Sequence, residues 1–379
     1  MRILCSSRPL YLHYLKGVLT PSVLTIAVTI FVCVILTSSL LRHKPVNDHR
    51  GRNMEIYRGP VPVFKLPVGK DPEMSQEADE EERSEGKYYL TIPPQGRLGN
   101  QMFQYASLLG IARTNNRSSF VSSSSDVARY FLGVNVEDRS TFHWRRLKEK
   151  FYASKDYFFD SLPEEDLKLV GFFQSWKYFS EVSTDVRKAF VFRPRVYKEV
   201  RSFFDRYCGT LAKNVTKIGV HVRRSDMMSK STKQLGYRTA PLSYVKNALN
   251  HMRSRFGDHS KFFIVSDDPD WCTRELKQKG VSVVDLAPAI VHLGFLTLCD
   301  HVIMTVGTFG WWAAYLSGGH VVYYNGFPTP ESEISKGFSK VDYYLPDWVP
   351  IGGEPNGLQD IIRTKPENGH GNREIRAAH

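Results

Sequence analysis

Strand-like apolar runs alternate with helical amphipathic stretches over the part of the chain from about residue 88 to about residue 350. In one such stretch Leu242, Val245, Leu249 and Met252 recur every three to four positions, as on one face of a helix. The alternation predicts repeated β-α-β units and a parallel sheet covered by helices. The predicted strands are 88–93, 218–222, 261–265, 281–286, 302–306 and 321–324, and the predicted helices are 98–113, 242–256, 269–279, 290–299 and 311–316.

The stretch 118–192 is less regular and rich in aromatic residues, and we assign it to the first half of the folded part. We expect an α/β fold in which two Rossmann-like halves face each other across a cleft. The folded domain should span residues 88–355. Its first half, expected to hold the acceptor, would end near residue 210, and its second half would begin near residue 215.

The N-terminal segment 18–41 contains no charged side chain. As a helix it would exceed the roughly 30 Å of a bilayer core. A cleaved signal peptide is the alternative, but its apolar region is shorter, roughly 7–15 residues. We therefore expect an uncleaved membrane anchor. Basic residues flank it on both sides, so the positive-inside rule does not orient it; the short segment 1–17 indicates a cytoplasmic tail.

Segments 42–87 and 356–379 are polar. The first carries several prolines and an acidic cluster, and we expect a disordered stem there that holds the folded domain away from the membrane. The second should be a loose polar tail.

The chain of 379 residues has the apolar and charged content of a globular protein, 42% and 24%. Its formal charge of +12 invites a nucleic-acid partner, but the basic residues are scattered among acidic ones, so we expect none. A basic surface also suits anionic sugar nucleotides and a nearby membrane.

Cysteines and sequons give weaker signals. Cys208, Cys272 and Cys299 follow the anchor, and three thiols permit one disulfide of unknown pairing with one free thiol. No Cys/His spacing indicates zinc. Asn116 and Asn214 begin N-glycosylation sequons and hint at exposure to the lumen.

The run His221-Val222-Arg223-Arg224-Ser225-Asp226 closes a predicted buried strand. Two guanidinium forks at such a point suit a diphosphate; a surface pair bound to Asp226 is the alternative. If the backbone stays extended, the two arginines point to opposite faces, so that one can grip the anion while the other braces the site. His221 then shares a face with Arg223, either in the site or as a packed strand histidine.

Two glycine-containing turns each open a predicted helix. In Gly307-Thr308-Phe309-Gly310 the backbone amides and the Thr308 hydroxyl could cradle a phosphate. In Gly96-Arg97-Leu98-Gly99-Asn100-Gln101 the side chains of Arg97 and Asn100 could reach across the cleft, with Asn100 orienting the acceptor hydroxyl or the sugar. Ordinary strand-to-helix turns are the alternative for both.

Ser266, Asp267 and Asp268 end another predicted strand, where they could bind a nucleobase or ribose. Asp268-Pro269-Asp270 also has the DxD spacing of metal-dependent glycosyltransferases. Pro269 is, however, typical of a first helical turn, which would make Asp268 an N-cap and Asp270 a first-turn acid. We favour capping and expect no metal.

Together the GRLGNQM, HVRRSD, SDDPDWC and VGTFGWWAAYL runs resemble the animal galactoside α1,2-fucosyltransferases, over about residues 88–350. The resemblance implies a GT-B architecture with GDP-fucose in the C-terminal half and Arg223 on its diphosphate. It also implies a single-pass type II Golgi membrane enzyme with a lumenal domain, which transfers fucose with inversion to the 2-hydroxyl of terminal galactose on glycans. Ser225 stands where many relatives carry glycine.

Three points stay open at this stage. Asp226 is the nearest candidate for the general base, although a salt bridge to an arginine is slightly favoured; Asp126, Glu164 and Glu165 cannot be placed. An α1,6- or protein O-fucosyltransferase is one alternative function, because the HxRRxD element is shared with those families. A non-catalytic sugar-nucleotide or glycan-binding protein of the same fold is another.

Overall fold

The computed structural model describes residues 46–47, 53–54 and 87–352. The chain divides into two compact units, Met1–Val61 and Pro62–His379. In the first, β1 (Val46–Asn47) and β2 (Asn53–Met54) form a short antiparallel pair within the expected stem. The predicted tail 1–17, anchor 18–41, the rest of the stem up to residue 86 and the polar end 356–379 lie outside the described residues. None of the helices described is long and apolar enough to cross a membrane.

The second unit contains two sheets, and every strand pair in both is parallel. The first sheet has the order β4-β3-β6-β5. Its strands are β3 (Tyr89–Thr91), β4 (Ser118–Phe120), β5 (Arg145–Lys148) and β6 (Leu167–Val170). The helices of this region are α1 (Leu98–Thr114), α2 (Asp126–Tyr130) and α3 (Ser183–Ala189).

The second sheet has the order β12-β11-β10-β7-β8-β9. Its strands are β7 (Lys217–Val222), β8 (Lys261–Ser266), β9 (Val281–Val283), β10 (His301–Met304), β11 (Val321–Tyr324) and β12 (Val349–Ile351). The helices are α4 (Pro194–Cys208), α5 (Lys230–Leu235), α6 (Leu242–Phe256), α7 (Pro269–Glu275), α8 (Ala289–Thr297), α9 (Thr308–Ser317) and α10 (Lys340–Tyr343). This is the strand order of a six-stranded Rossmann sheet. The strands follow the chain in one direction from β7 to β9 and in the other from β10 to β12, so the order reverses between β7 and β10.

The α/β prediction with parallel sheets is confirmed. The bounds of α6 and β11 match the expected ones. Five predicted elements were too long: the helix 269–279 ends at Glu275, the strand 281–286 at Val283, the strand 88–93 at Thr91, the strand 302–306 at Met304 and the helix 290–299 at Thr297. Beyond α7, the guanidinium of Arg253 donates to the Gln278 side chain and to the Lys279 carbonyl.

Helices α1 and α9 pack against each other through large buried aromatic rings. Phe103 of α1 lies 4.5 Å from Trp311 and 5.1 Å from Trp312 of α9, measured between ring centroids. All three side chains are fully buried. Aromatic side chains bury the largest apolar areas, so this cluster fixes the approach of the two helices.

The C-terminal segment also contacts loops of the first sheet. The carboxylate of Asp342 accepts a hydrogen bond from the Lys155 amide at 2.8 Å and pairs with the Lys177 ammonium at 2.5 Å. The Tyr152 hydroxyl donates to the Ile334 carbonyl at 3.0 Å. Residues far apart in the sequence are thereby joined.

Cys208, Cys272 and Cys299 are all free and buried. The disulfide that the cysteine count permitted is therefore not formed among the described residues.

Candidate functional site

The candidate site lies where the order of the second sheet reverses. Strands β7 and β10 are neighbours, with Met304 opposite His221. In open α/β sheets the carboxyl ends of the strands at such a point form the ligand crevice. The chain leaves β7 at Arg223 and leaves β10 for the Gly307 turn, so both predicted anion-binding motifs reach the same place.

Arg223 is fixed from two directions. Its backbone amide donates to the Thr305 hydroxyl at 3.0 Å. Its guanidinium binds Asp226 in a bidentate manner, with Nε–Oδ1 at 3.0 Å and Nη2–Oδ2 at 2.6 Å. The remaining nitrogen, Nη1, lies 2.5 Å from where a Cβ would stand on Gly307, whose φ is +95°. Another residue at position 307 would be strained by this positive φ and would have to displace the guanidinium, so glycine is favoured there.

Asp226 is thus a salt-bridge partner of Arg223, as the favoured interpretation held. The hydrogen bond and charge of Arg223 lower the pKa of Asp226. An ionised carboxylate with a depressed pKa is a weak base, because efficient proton acceptors have a pKa near the working pH. This geometry suits holding the arginine better than accepting a proton.

Arg224 points elsewhere. Its guanidinium carbon lies 3.8 Å from the centre of the Trp271 ring, and its Nε lies 3.5 Å from Asp268 Oδ2. Only 14% of its side chain is exposed, against 27% for Arg223. The prediction that the two arginines face different ways is confirmed, and the surroundings of Arg224 are those of a bracing residue.

The acidic turn after β8 supports the arginine turn. Both carboxylate oxygens of Asp267 accept backbone amides, from Arg224 at 2.9 Å and from Ser225 at 3.0 Å. The Ser225 hydroxyl donates to the Asp267 carbonyl. In turn, the Ser266 hydroxyl accepts from the Asp268 amide. The Ser266 hydroxyl and both Asp267 carboxylate oxygens are therefore engaged within the protein.

Asp268 caps α7, as its neighbour Pro269 indicated. Its Oδ1 accepts from the Trp271 amide at 3.2 Å, Pro269 stands in the first turn, and Asp270 is a first-turn acid. Within the described part of the chain, no three His, Cys, Asp or Glu side chains are grouped so that they could hold a metal ion.

The N-terminal turns of α1 and α9 meet at the site. A Cβ on Gly99 would lie 2.7 Å from the Phe309 amide nitrogen and 2.8 Å from Thr308 Oγ1. The Thr308 hydroxyl donates to Asn100 Oδ1 at 2.8 Å. Helix N-termini carry partial positive charge and unpaired amides, so two of them here favour an anion. The structure thus brings Asn100 together with the Gly307 turn.

Arg97 completes the basic side of the site. Its side chain is 87% exposed, and its Nη1 lies 3.8 Å from Asp226 Oδ2. Asp226 therefore lies between Arg97 and Arg223, and Arg97 reaches from the turn before α1 to the arginine turn after β7.

His221 is buried between β7 and α9, with its ring centroid 5.4 Å from that of Phe309. Burial, together with the nearby charge of Arg223, lowers its pKa to about 3. The imidazole is therefore neutral at physiological pH. Its Nδ1 is buried without a hydrogen-bond partner and lies against Gly310 of α9.

Three residues that contact the site were not predicted from the sequence: Thr305, Trp271 and Gln174. Trp271 and Thr305 follow the motif-bearing strands closely, so their nearness to strand ends was a usable signal. Gln174 donates to Asn100 Oδ1 at 3.2 Å from 74 residues away, and no local pattern marks it. The sequon residues Asn116 and Asn214 are both exposed.

Comparison with known proteins identifies the family. The family Glyco_transf_11, glycosyl transferase family 11, matches residues 68–352. The galactoside alpha-(1,2)-fucosyltransferase 1 of Pan troglodytes is 32% identical over 318 residues, covering 80% of this chain and 86% of that protein. The Sus scrofa protein of the same name is 34% identical over 284 residues, covering 71% and 76%.

Solved structures give more distant matches. A mutant of Arabidopsis thaliana FUT1 in complex with GDP aligns with a TM-score of 0.42 and 15% identity, over 63% of this chain and 70% of that one. The NodZ alpha-1,6-fucosyltransferase soaked with GDP-fucose aligns with a TM-score of 0.42 and 13% identity, over 64% and 96%. The family match covers both sheets and every residue of the site described above. The chain belongs to glycosyl transferase family 11.

Proposed function

We propose that this protein transfers L-fucose from GDP-fucose to the 2-hydroxyl of a terminal galactose on glycans, with inversion and without a metal. The observation that carries the proposal is the meeting of Arg223, Arg97 and the N-terminal turns of α1 and α9. The names of the two curated relatives described above supply the sugar and the linkage.

The reaction must stabilise a departing GDP while fucose passes through an oxocarbenium-like state. The free Nη1 of Arg223 faces the Gly307 turn, beside the amides that begin α9. Donors fixed before the reaction need no reorganisation as charge develops on the diphosphate. Arg224, held by Trp271 and Asp268, keeps the turn in shape. The guanine and ribose would lie toward the Ser266–Asp268 turn.

We further infer a GT-B-like arrangement, in which the region of the first sheet offers the acceptor side through Arg97 and Asn100. Membrane anchoring through 18–41, a lumenal Golgi location and glycosylation at Asn116 and Asn214 belong to the same proposal. Their support is the uncharged N-terminal segment and the exposure of both asparagines.

The test is product analysis. The full-length protein, solubilised from membranes, is incubated with GDP-fucose and lactose, and the linkage in the trisaccharide is determined by NMR. We expect fucose α1,2-linked to galactose, formed about 10²–10³-fold more slowly by the variant Arg223→Ala. A 1,6 linkage, or transfer to protein alone, would exclude the proposed acceptor. GDP-fucose binding without any transfer would indicate a binding protein.

A further inference from the structure

Three histidines meet at the amino-terminal edge of the second sheet, opposite the edge that carries the candidate site. His301 begins β10, His320 directly precedes β11, and His251 lies in α6. All three residues are half-buried. The short segment 318–320 joins the end of α9 to β11. The histidines therefore surround the connection that leaves the far end of α9.

His251 and His320 are joined by a hydrogen bond between their rings. Nε2 of one ring lies 3.2 Å from Nε2 of the other. The ring centroids are 5.5 Å apart and the ring planes differ by 15°, as expected when two imidazoles meet head to head in one plane. One nitrogen donates and the other accepts, so a single proton lies between the rings. If both rings were fully protonated, two N–H groups would point at each other.

His301 holds the same connection by its backbone. Its Nδ1 accepts a hydrogen bond from the His320 amide at 3.0 Å, and the His320 carbonyl accepts one from the Val302 amide at 3.1 Å. The His301 ring also stacks on Phe256, the last residue of α6, with 3.8 Å between ring centroids. An imidazole that accepts at Nδ1 is neutral, because both nitrogens of the charged ring are donors. Protonation of His301 therefore breaks its bond to the His320 amide.

The surroundings of the cluster disfavour its protonation. Burial lowers the pKa of all three histidines, that of His320 from the usual 6.5 to about 4, and the positive charge of Arg255 in α6 adds to this effect. Asp300, just before β10, acts on His301 in the opposite direction, but its carboxylate also faces the ammonium of Lys217 in β7 at 3.8 Å. Below pH 6.5 the opened cluster thus binds more protons than the closed one. Its stability is complete above about pH 6.5 and is lost as the pH falls below that value.

We propose that the three histidines form a pH-sensitive latch, which fastens the connection after α9 to β10 and α6 while they are neutral and releases it in acid. Each proton taken up on release favours opening about tenfold at pH 5.5, one unit below the usual histidine value. The first turn of α9 contains Thr308 of the candidate site, so the latch anchors the far end of a helix that forms the site.

Hydrogen exchange on the full-length protein tests the latch. The readouts are the amides of His320 and Val302 at pH 7.5 and pH 5.5, each corrected for the exchange rate of the unfolded chain at that pH. We expect their protection to fall at least about tenfold at pH 5.5. The amides of β3, in the first sheet, should keep theirs, because the release is local.

Two substitutions replace titrating rings with neutral amides. His301→Asn places an oxygen where Nδ1 accepts, and His320→Gln places an amide where Nε2 lies. In the double variant, protection should fall less than about twofold between the two pH values. If the double variant does not fold, His320→Gln alone should show a fall about tenfold smaller than that of the wild-type protein.

His259→Gln is the matched control, since His259 is exposed and follows α6 closely, and it should behave as the wild-type protein does. Constant protection of the wild-type amides across this pH range overturns the latch. So does an equal fall in the wild-type protein and the variants. An equal loss of protection in β3 overturns it as well, because the opening would then be global.

Discussion

At the scale of single residues, the two arginines after β7 differ in what they touch. We expect Arg223→Ala to lower turnover about 10²–10³-fold, equivalent to roughly 2.7–4 kcal/mol of transition-state stabilisation, because it removes a preorganised donor. Arg223→Lys should restore only part of it, since an ammonium lacks the planar fork. Rates and GDP affinities are measured, with folding checked by thermal melting. Near-normal turnover in Arg223→Ala would show that Arg223 does not stabilise the departing diphosphate.

Arg224→Lys should behave differently. Lysine loses the planar stack on Trp271, an interaction of about 0.5–1 kcal/mol at exposed sites and more when desolvated, so melting temperature should fall while turnover falls less than in Arg223→Lys. A larger loss of turnover in Arg224→Lys than in Arg223→Lys would mean that Arg224 binds the diphosphate and Arg223 braces the turn.

Glu149 makes stability depend on pH. Burial raises its pKa from 4.5 to about 8. Between these values the unfolded chain has released the proton and the folded chain still holds it, so the free energy of unfolding falls as pH rises from about 4.5 to 8. We expect Glu149→Gln to flatten the decline in melting temperature between pH 6 and pH 8. Its amide oxygen can still accept the Phe172 and Phe173 amides. An identical decline in both proteins would show that Glu149 titrates normally.

At the scale of elements, the contact between α1 and α9 leaves no room for a methyl group on Gly99. Two of the three nearest atoms are backbone atoms of α9, which cannot turn aside, and the third is the Thr308 hydroxyl that binds Asn100. We expect Gly99→Ala to destabilise the protein by about 1–3 kcal/mol and to lower activity by separating Asn100 from Thr308. Thr114→Ala, at the exposed end of the same helix, is the control. Unchanged melting and activity in Gly99→Ala would mean that the helices can move apart freely.

The first turn of α7 decides between capping and metal binding. Because Asp268 already accepts the Trp271 amide and faces Arg224, we expect EDTA to leave most activity intact. Asp268→Ala should lower stability by about 1 kcal/mol through the lost cap. Asp270→Ala should change neither activity nor stability much. A loss of activity in EDTA that Mn²⁺ restores would make Asp268 and Asp270 metal ligands.

The local sequence was sufficient for features that local chemistry determines. The cap at Asp268 and the divergence of Arg223 and Arg224 follow from a proline position and from strand geometry. The contacts of Gln174 and of Arg253 could not be predicted, because each depends on which distant segments the fold brings together.

At the scale of the whole molecule, the folded domain has its own core and should not need the N-terminal segment for chemistry. We expect a secreted protein that begins at Pro62, behind a supplied signal peptide, to keep the kcat of the full-length enzyme. The family match from residue 68 and the compact unit from Pro62 support this boundary. A secreted, well-folded but inactive product would show that the first unit takes part in the reaction.

The contacts of Asp342 with Lys155 and Lys177 have a consequence for biosynthesis. They join residues separated by 187 and 165 positions, and the bond between Thr308 and Asn100 spans 208. A ribosome has to make nearly the entire domain before these pairs can close, and such non-local contacts slow folding. Phe103 of α1, which packs on Trp311 and Trp312, therefore stays uncovered until α9 has been made. A premature stop shortly before Asp342 should leave a chain that is retained and degraded, although every residue named in the site is present.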